Sequence, residues 1–115
     1  MPLDGPLRDS AFFEQGAALL AALADRDRLL ILRILLKREL PLNALALITG
    51  IGSGACSKHL GALRGAGLVI CTKRADTDYF SCRSDQVKKL LETLDDILPG
   101  SSLERPPERG GSGAP

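Results

Sequence analysis

The segment from Ile51 to Ile70, IGSGACSKHLGALRGAGLVI, constrains the fold of this chain more than any other part of it. Small or apolar residues recur there at helical spacing, which predicts a helix with one stripe packed on a core: Cys56, Leu60, Leu63 and Gly67. The opposite stripe carries one cation and otherwise no side chains: Gly54, Lys58, Gly61 and Gly65. Each helical glycine costs about 1 kcal/mol relative to alanine, so a stripe this bare indicates a surface that another molecule approaches closely. DNA is the leading candidate, because its major groove admits an α-helix and its phosphates attract lysine.

Length and composition predict one small soluble domain. The chain has 115 residues, of which 44% are hydrophobic. No apolar run comes near the roughly 20 residues that cross a bilayer, so no membrane partner is expected. With no Trp, one Tyr and three Phe, the core must be built from Leu, Ile, Val and Ala, which favours closely packed helices. The N-terminus lacks the pattern of an export signal, so we expect a cytoplasmic protein whose three cysteines are free thiols.

Charge is unevenly distributed along the chain. The net charge is only +1, which by itself argues against avid binding to nucleic acid. The stretch from Gly50 to Arg83 nevertheless holds five cations and two acids. A basic segment within a nearly neutral chain is the weaker form of the nucleic-acid signature, and it supports the DNA interpretation of the glycine stripe.

Proline and glycine divide the chain into three parts. Residues 1–9 and the Pro/Gly/Ser-rich residues 99–115 are predicted to be disordered, which leaves residues 10–98 as one folded domain for DNA binding and dimerisation. The domain is predicted to begin with a helix from Ser10 to Leu23. A second helix contains the run LLILRILL, which is apolar nearly all round and is therefore expected at the centre of the domain.

The order of the remaining elements is that of a winged helix-turn-helix. A short helix from Leu42 to Ile48, a glycine turn and the helix that starts at Ser53 or Gly54 form the helix-turn-helix unit, whose second helix is the recognition element. A β-hairpin follows, with arms at Leu68–Lys73 and Tyr79–Arg83, and a last helix closes the domain. The predicted fold class is mainly α with a small β-hairpin (α+β), with four helices before the hairpin and a fifth after it.

Two long motifs carry a resemblance to a known family. LADRDRLLIL, from Leu23 to Leu32, is similar to a segment LADxxRLxIL, and SGACSKHLGALRGAGLV, from Ser53 to Val69, is similar to SxxSxHLxxLRxAGLV. Both are typical of the ArsR/SmtB transcriptional repressors of bacteria, which the chain resembles from about Leu20 to Leu98. The resemblance implies a DNA-binding repressor, not an enzyme. The resemblance also implies a homodimer that binds a partly palindromic operator in double-stranded DNA and leaves it when an inducer binds.

The terminal helices agree with a homodimer on independent grounds. A domain this small has little interior, and pairing two copies about a two-fold axis would cover the apolar residues at both ends of the domain. The residues predicted at that interface are Phe12, Phe13, Leu20, Leu90, Leu91, Leu94 and Leu98. The alternative is that each terminal helix folds back on its own domain.

Candidate DNA contacts lie on the recognition helix and on the hairpin, or wing: Ser53, Gly54, Ser57, Lys58, His59, Arg64, Lys73 and Arg74. Lys58 is expected to pair with a phosphate or a guanine edge. For His59, packing beside the buried stripe and contact with a base are equally supported. Lys73 and Arg74 would reach the adjacent backbone or the minor groove, although Asp76 and Asp78 weaken the attraction.

The inducer is less well indicated, because the usual metal motifs of the family are missing. In the family that this chain resembles, many members carry a metal-binding Cys-x-Cys just after the second helix. This chain has the sequence ELPLNAL there, from Glu39 to Leu45. Others use Asp and His pairs on the last helix, which here offers only carboxylates: Asp85, Glu92, Asp95 and Asp96. The only histidine is His59. A transition-metal inducer therefore lacks its usual nitrogen and sulfur ligands, and no cofactor is assigned.

Three cysteines remain as candidate sensors: Cys56, Cys71 and Cys82. The apolar position of Cys56 favours a small buried residue. The other two lie on the arms of the hairpin, where a two-residue turn at Asp76 and Thr77 would make them direct cross-strand neighbours. A turn centred on Ala75 would keep them apart. Neighbouring thiols in the wing would suit a redox or soft-metal switch.

Two other classes of function compete with the repressor. A winged-helix module that docks a partner protein, without an inducer site of its own, would also explain the bare glycine face. Steep loss of DNA binding with added salt separates a repressor from such a module. An enzyme is disfavoured, because one histidine, no nucleophile elbow and no phosphate-binding glycine loop leave the catalytic roles unassigned.

Overall fold

A computed structural model describes residues 10–98 of the chain. These residues form five helices and three strands. The helices are α1 (Ser10–Leu23), α2 (Arg26–Lys37), α3 (Leu42–Thr49), α4 (Ser53–Gly65) and α5 (Asp85–Ile97), and the strands are β1 (Leu40–Pro41), β2 (Ile70–Arg74) and β3 (Thr77–Ser81). The chain divides into two compact units after Ser84, so α5 is described separately. The predicted disordered segments, residues 1–9 and 99–115, lie outside the described residues.

Helix α2 occupies the centre of the first unit, as its apolar sequence predicted. The side chain of Asp25 caps its N-terminus by accepting the backbone N–H groups of Asp27 and Arg28, at 2.9 and 3.1 Å. The helix contacts α1, α3, α4 and β3, and its inner side chains are completely buried: Ile31, Leu32 and Leu35. It ends at Lys37, with Arg38 as an extended C-cap, shortly before Pro41, which is not tolerated in the interior of a helix.

The predicted helix-turn-helix is confirmed in α3 and α4. Gly50 ends α3 in a left-handed conformation, at φ +75°, and donates its N–H to the carbonyl of Ala46. The hydroxyl of Thr49 accepts the N–H of Ile51 at 3.2 Å, which fixes the short turn before α4. At the other end of α4, Gly67 lies beyond the helix at φ +77°. Gly67 therefore belongs to the helix terminus, which corrects its predicted place on the buried stripe.

The wing is part of a three-stranded antiparallel sheet with the strand order β1-β3-β2. The sequence predicted only the hairpin of β2 and β3, because β1 has two residues and one of them is proline. In the structure Leu40 pairs with Phe80, and Pro41 pairs with Tyr79. The sheet therefore connects the wing to the chain that leaves α2.

The turn of the hairpin decides the relation between two of the candidate sensor cysteines. Arg74 pairs with Thr77, so the turn consists of Ala75 and Asp76, one residue earlier than cross-strand pairing of the thiols requires. Cys71 is opposite Phe80, and Cys82 lies beyond the end of β3, where its N–H donates to the carbonyl of Leu35. The predicted possibility that Cys71 and Cys82 are direct cross-strand neighbours is therefore wrong, and both are free thiols.

The described apolar faces differ in how well they are covered. The core of the first unit includes Leu23, Leu45, Leu60, Leu63, Leu68 and Val69. On α5, Val87 and Leu91 are buried, whereas Leu90 and Leu94 are partly exposed. Three large side chains of α1 remain exposed: Phe12, Phe13 and Leu20. Leu98, just after α5, is exposed as well. Most residues predicted at the dimer interface thus present apolar surface to solvent in the single chain.

Candidate nucleic-acid interface

The outer face of α4 is bare, and the packing of the protein itself does not require it to be so. Gly54, Gly61 and Gly65 are exposed, as is Lys58 between them. A Cβ atom built at any of the three glycines would meet nothing within 4 Å beyond its immediate helical surroundings. None of the three has a positive φ, so alanine would fit each position and would stabilise the helix. Packing among residues 10–98 therefore gives no reason for glycine at these three positions.

The inner face of α4 anchors the helix in the core. Cys56, Leu60 and Leu63 are buried, which confirms the predicted stripe at those positions. Burial raises the pKa of the Cys56 thiol, and the negative charge of Asp27 raises it further. Cys56 is thus a small buried residue whose thiolate is disfavoured, an environment that suits packing better than sensing.

The predicted DNA contacts on α4 occur on its accessible faces. Ser53, Ser57, Lys58 and Arg64 are all exposed. Neither Lys58 nor Arg64 forms an ion pair with any residue between 10 and 98. Both cations are consequently available to an anionic partner, and small hydroxyl side chains accompany them.

His59 differs from these residues because it takes part in a polar network with α2. Arg28 makes two of its contacts: its Nε–H group donates to Nδ1 of His59 at 3.3 Å, and the Nη1 group of Arg28 donates to the carbonyl of Ala22. Nε2 of His59 is 3.9 Å from a carboxylate oxygen of Asp25 and 3.8 Å from one of Asp27. Only 18% of the imidazole is exposed. Of the two interpretations of His59, the structure favours packing, and the network holds the recognition helix against the start of α2.

The pairing of Asp25, Asp27 and Arg28 with His59 was not predicted from the sequence. The sequence does contain a signal for the cap of α2, because an aspartate before the apolar run is a typical N-cap, but it contains none for the contact of that cap with His59. The backbone N–H of Arg28 is the main influence that holds the pKa of Asp25 below its ordinary value. Asp25 is thereby kept ionised near the imidazole.

Asp25, Asp27 and His59 also form the only group of this kind among residues 10–98 whose spacing could hold a metal ion, with ligand atoms within 4.8 Å of one another. Two carboxylates and an imidazole are acceptable ligands for a divalent transition metal. The hydrogen bond from Arg28 argues against one, because a neutral imidazole that accepts at Nδ1 carries its proton on Nε2, the atom facing the carboxylates. Binding of a metal at Nε2 would move that proton to Nδ1, where it would face the N–H group of Arg28. These residues therefore do not fit a resident ion.

The wing cations both have acidic partners within the chain. Nζ of Lys73 is 3.4 Å from Oδ1 of Asp78. Nη2 of Arg74 is 2.7 Å from Oε1 of Glu39, and its guanidinium lies 4.3 Å from the centre of the Tyr79 ring. The hydrogen bond with Glu39 raises the pKa of Arg74. Glu39 and Tyr79 were not singled out in the sequence, because their contacts with Arg74 depend on the path of β1.

Sequence comparison relates this chain to known bacterial regulators. A sequence model described as "Bacterial regulatory protein, arsR family" matches residues 25–70. The nodulation protein NolR of Rhizobium meliloti is 44% identical over 84 residues, which cover 73% of this chain and 69% of NolR. The chain belongs to the arsR family. The transcriptional activator HlyU of Vibrio cholerae is 38% identical over 70% of this chain and 74% of its own length.

Solved structures of arsR-type proteins share the fold. The crystal structure of NolR from Sinorhizobium fredii aligns with a TM-score of 0.78 and 38% identity, covering 88% of this chain and the whole chain seen in that crystal structure. A homodimeric winged helix-turn-helix DNA-binding domain from Mycobacterium bovis, a possible ArsR-family regulator, aligns with a TM-score of 0.70 and 28% identity, over 87% of this chain and 94% of that domain. The winged helix-turn-helix prediction is confirmed by these structures. No helix between residues 10 and 98 has the length and apolar character needed to span a bilayer.

Proposed function

We propose that this arsR-family protein is a homodimeric transcriptional repressor that binds a partly palindromic operator in double-stranded DNA through α4. The observation that carries the proposal is the bare outer face of α4, where three glycines have open space around them and Lys58 is the single charged residue. A helix of this shape can lie deep in a major groove, and its lysine can neutralise a phosphate.

Within that complex, α4 would supply the contacts that determine position and sequence. We assign Ser53, Ser57 and Lys58 to the groove, with Gly54 allowing close approach of the backbone. Arg64, on the flank of the helix, suits a phosphate contact. Lys73 of the wing would reach the neighbouring DNA backbone. Both side chains of its ion pair with Asp78 are exposed, so Lys73 can leave Asp78 for a phosphate at little cost.

The dimer is supported by the apolar surface of the terminal helices and by a relative. Phe12, Phe13 and Leu20 expose apolar side chains on α1, and a second copy would cover them. The related domain from Mycobacterium bovis is homodimeric. A two-fold dimer presents two copies of α4 to symmetric half-sites, which is the physical reason to expect a partly palindromic operator.

The proposed repressor is released from its operator by an inducer. The family motifs for metal ions are missing from α5 and from the segment after α2, which favours a thiol-reactive signal over a metal ion. Cys56 and Cys82 are buried, and burial raises the pKa of the Cys82 thiol too. Cys71, half-buried on β2 beside the wing cations, is the accessible candidate.

The test is the salt dependence of DNA binding by matched lysine variants. Lys58→Gln should reduce the slope of log affinity against log salt by about 0.9 for each phosphate that the variant no longer neutralises, or about 2 for a dimer. Lys89→Gln removes another exposed lysine, on α5, and should leave the slope unchanged. Binding to DNA from around the protein's own gene can be followed by fluorescence anisotropy. Equal slopes for the two variants would contradict the role of Lys58, and wild-type protein that shows no salt-dependent binding would favour the protein-docking module instead.

A further inference from the structure

Arg74 and Glu39 form the shortest ion pair of the described wing, and the Arg74 side chain crosses the middle strand of the sheet to make it. Arg74 ends β2, which lies on one side of β3, whereas Glu39 immediately precedes β1 on the other side. The guanidinium rests over Tyr79 of β3 and then meets the Glu39 carboxylate at 2.7 Å. The side chain therefore runs back over the sheet toward the end of α2, and the charged group is held away from the tip of the hairpin.

The other wing cation is held much less firmly. Lys73 and Asp78 are 3.4 Å apart and their side chains are 67% and 51% exposed, so water and salt screen their attraction. The side chain of Glu39 is only 24% exposed. Its contact with Arg74 combines a short charge-assisted hydrogen bond with stacking of the guanidinium on an aromatic ring. Moving Arg74 to a phosphate would break both interactions, whereas moving Lys73 would break one weak one.

We propose that Glu39 competes with DNA phosphate for the guanidinium of Arg74. Glu39 retains Arg74, so the wing engages DNA through Lys73 and not through Arg74. A carboxylate offers a guanidinium the same planar, two-oxygen recognition that a phosphate does, and Glu39 is already in place on the same chain. Glu39 thus sets how many phosphates each wing neutralises. This inference rests on the proposed DNA-binding function, and it replaces the prediction that Arg74 contacts DNA.

The experiment is a double-variant cycle on Glu39 and Arg74 in the full chain. Each protein is titrated against a fluorescently labelled mixed-sequence duplex at several salt concentrations, because phosphate contacts do not depend on sequence. Glu39→Gln should free Arg74 and steepen the slope of log affinity against log salt by about 0.9 per subunit, or about 1.8 per dimer. Arg74→Gln alone should leave the wild-type slope unchanged. The double variant should return to the wild-type slope.

Two controls separate release of Arg74 from other effects of the substitutions. Asp76→Asn removes a negative charge from the turn without freeing Arg74, so it should change the slope by much less than Glu39→Gln. Circular dichroism and thermal unfolding check that each variant is folded. A structural role for Glu39 alone would lower thermal stability without steepening the salt dependence, and that result would overturn the inference.

Other outcomes are equally decisive. If Arg74→Gln makes the slope shallower, Arg74 contacts DNA in the wild-type protein and Glu39 is no competitor. A steeper slope that persists in the double variant would show a general charge effect, which also contradicts the inference. If the wild-type protein binds this duplex without salt dependence, the proposed function fails and the inference fails with it. Wild-type binding with an unchanged slope for Glu39→Gln overturns the inference alone.

Discussion

Ala75 adopts a left-handed backbone conformation, at φ +56°, in the turn of the wing. It is the only residue other than glycine between 10 and 98 with a positive φ. The two glycines that share this conformation, Gly50 and Gly67, occupy helix ends, where the sequence already suggests a break. A conformation that normally requires glycine is thus imposed on alanine at the tip of the hairpin.

Replacement of Ala75 by glycine should stabilise the protein by about 1 kcal/mol. An L-residue in the left-handed conformation costs roughly 1–2 kcal/mol, and the backbone entropy that glycine loses on folding offsets part of that gain. Urea unfolding followed by circular dichroism measures the change. Gly67→Ala is the converse control, and it should destabilise by a similar amount although no atom obstructs a Cβ there. Equal stability of wild-type protein and Ala75→Gly would contradict the assigned conformation.

Asp25 should make the stability of the protein depend on pH. Its pKa is held below the ordinary value, mainly by the N–H of Arg28, so its contribution to stability is present above about pH 4 and is lost as the pH falls through the lowered pKa. Asp25→Ala should destabilise the protein at neutral pH by removing the N-cap of α2. The difference from wild type should shrink in acid, which urea unfolding across a pH series can follow. Asp25→Asn retains a capping oxygen and should lose less.

Helix α4 combines a buried stripe with an outer face whose glycines lower the stability of the helix. Alanine at Gly61 should stabilise the free protein by about 1 kcal/mol, because the site is helical, exposed and open. The same methyl group should weaken DNA binding about tenfold if the helix lies against the groove. Thermal unfolding and DNA titration of one variant test both halves of the prediction.

Gly16→Ala is the matched control for that experiment, since Gly16 occupies α1 and is also exposed with open space around it. It should gain a similar helix stability. Because Gly16 lies one helical turn from Phe12 and Leu20 of the predicted dimer interface, its DNA affinity is compared with that of Gly61→Ala only after sedimentation has shown an unchanged dimer. A Gly61→Ala variant that is more stable and binds DNA as tightly as wild type would show that the bare stripe does not serve DNA binding.

Elements defined by local pattern could be predicted from the sequence, whereas those defined by long-range pairing could not. The bounds of α1 and the start of α4 follow from apolar spacing and glycine. The hairpin was expected, but its register depends on Ala75 taking a conformation that its side chain disfavours. Strand β1 is too short to carry a pattern. The contacts of His59 with Arg28 and of Arg74 with Glu39 join distant segments, so neither charge nor spacing indicated them.

For the whole molecule, the decisive expectation is the dimer. Leu20→Glu places a charge on the exposed face of α1, which should leave the monomer folded and prevent pairing of two copies. Sedimentation velocity should show a monomer, and DNA affinity should fall because the two half-sites are no longer bound together. The control is Leu47→Glu on α3, where an even more exposed leucine, at 80% against 59%, lies outside the predicted interface. A dimer that survives Leu20→Glu would show that α1 is not the interface.

Strand β1 has a further consequence for contacts between copies of this protein. The edges of the sheet are β1, which has two residues including a proline without an N–H, and β2, which carries Lys73 and Arg74. Short, proline-containing or charged edges discourage another strand from joining. The sheet therefore gives a strand of a second molecule little to pair with, and Pro41 removes one backbone donor from the β1 edge.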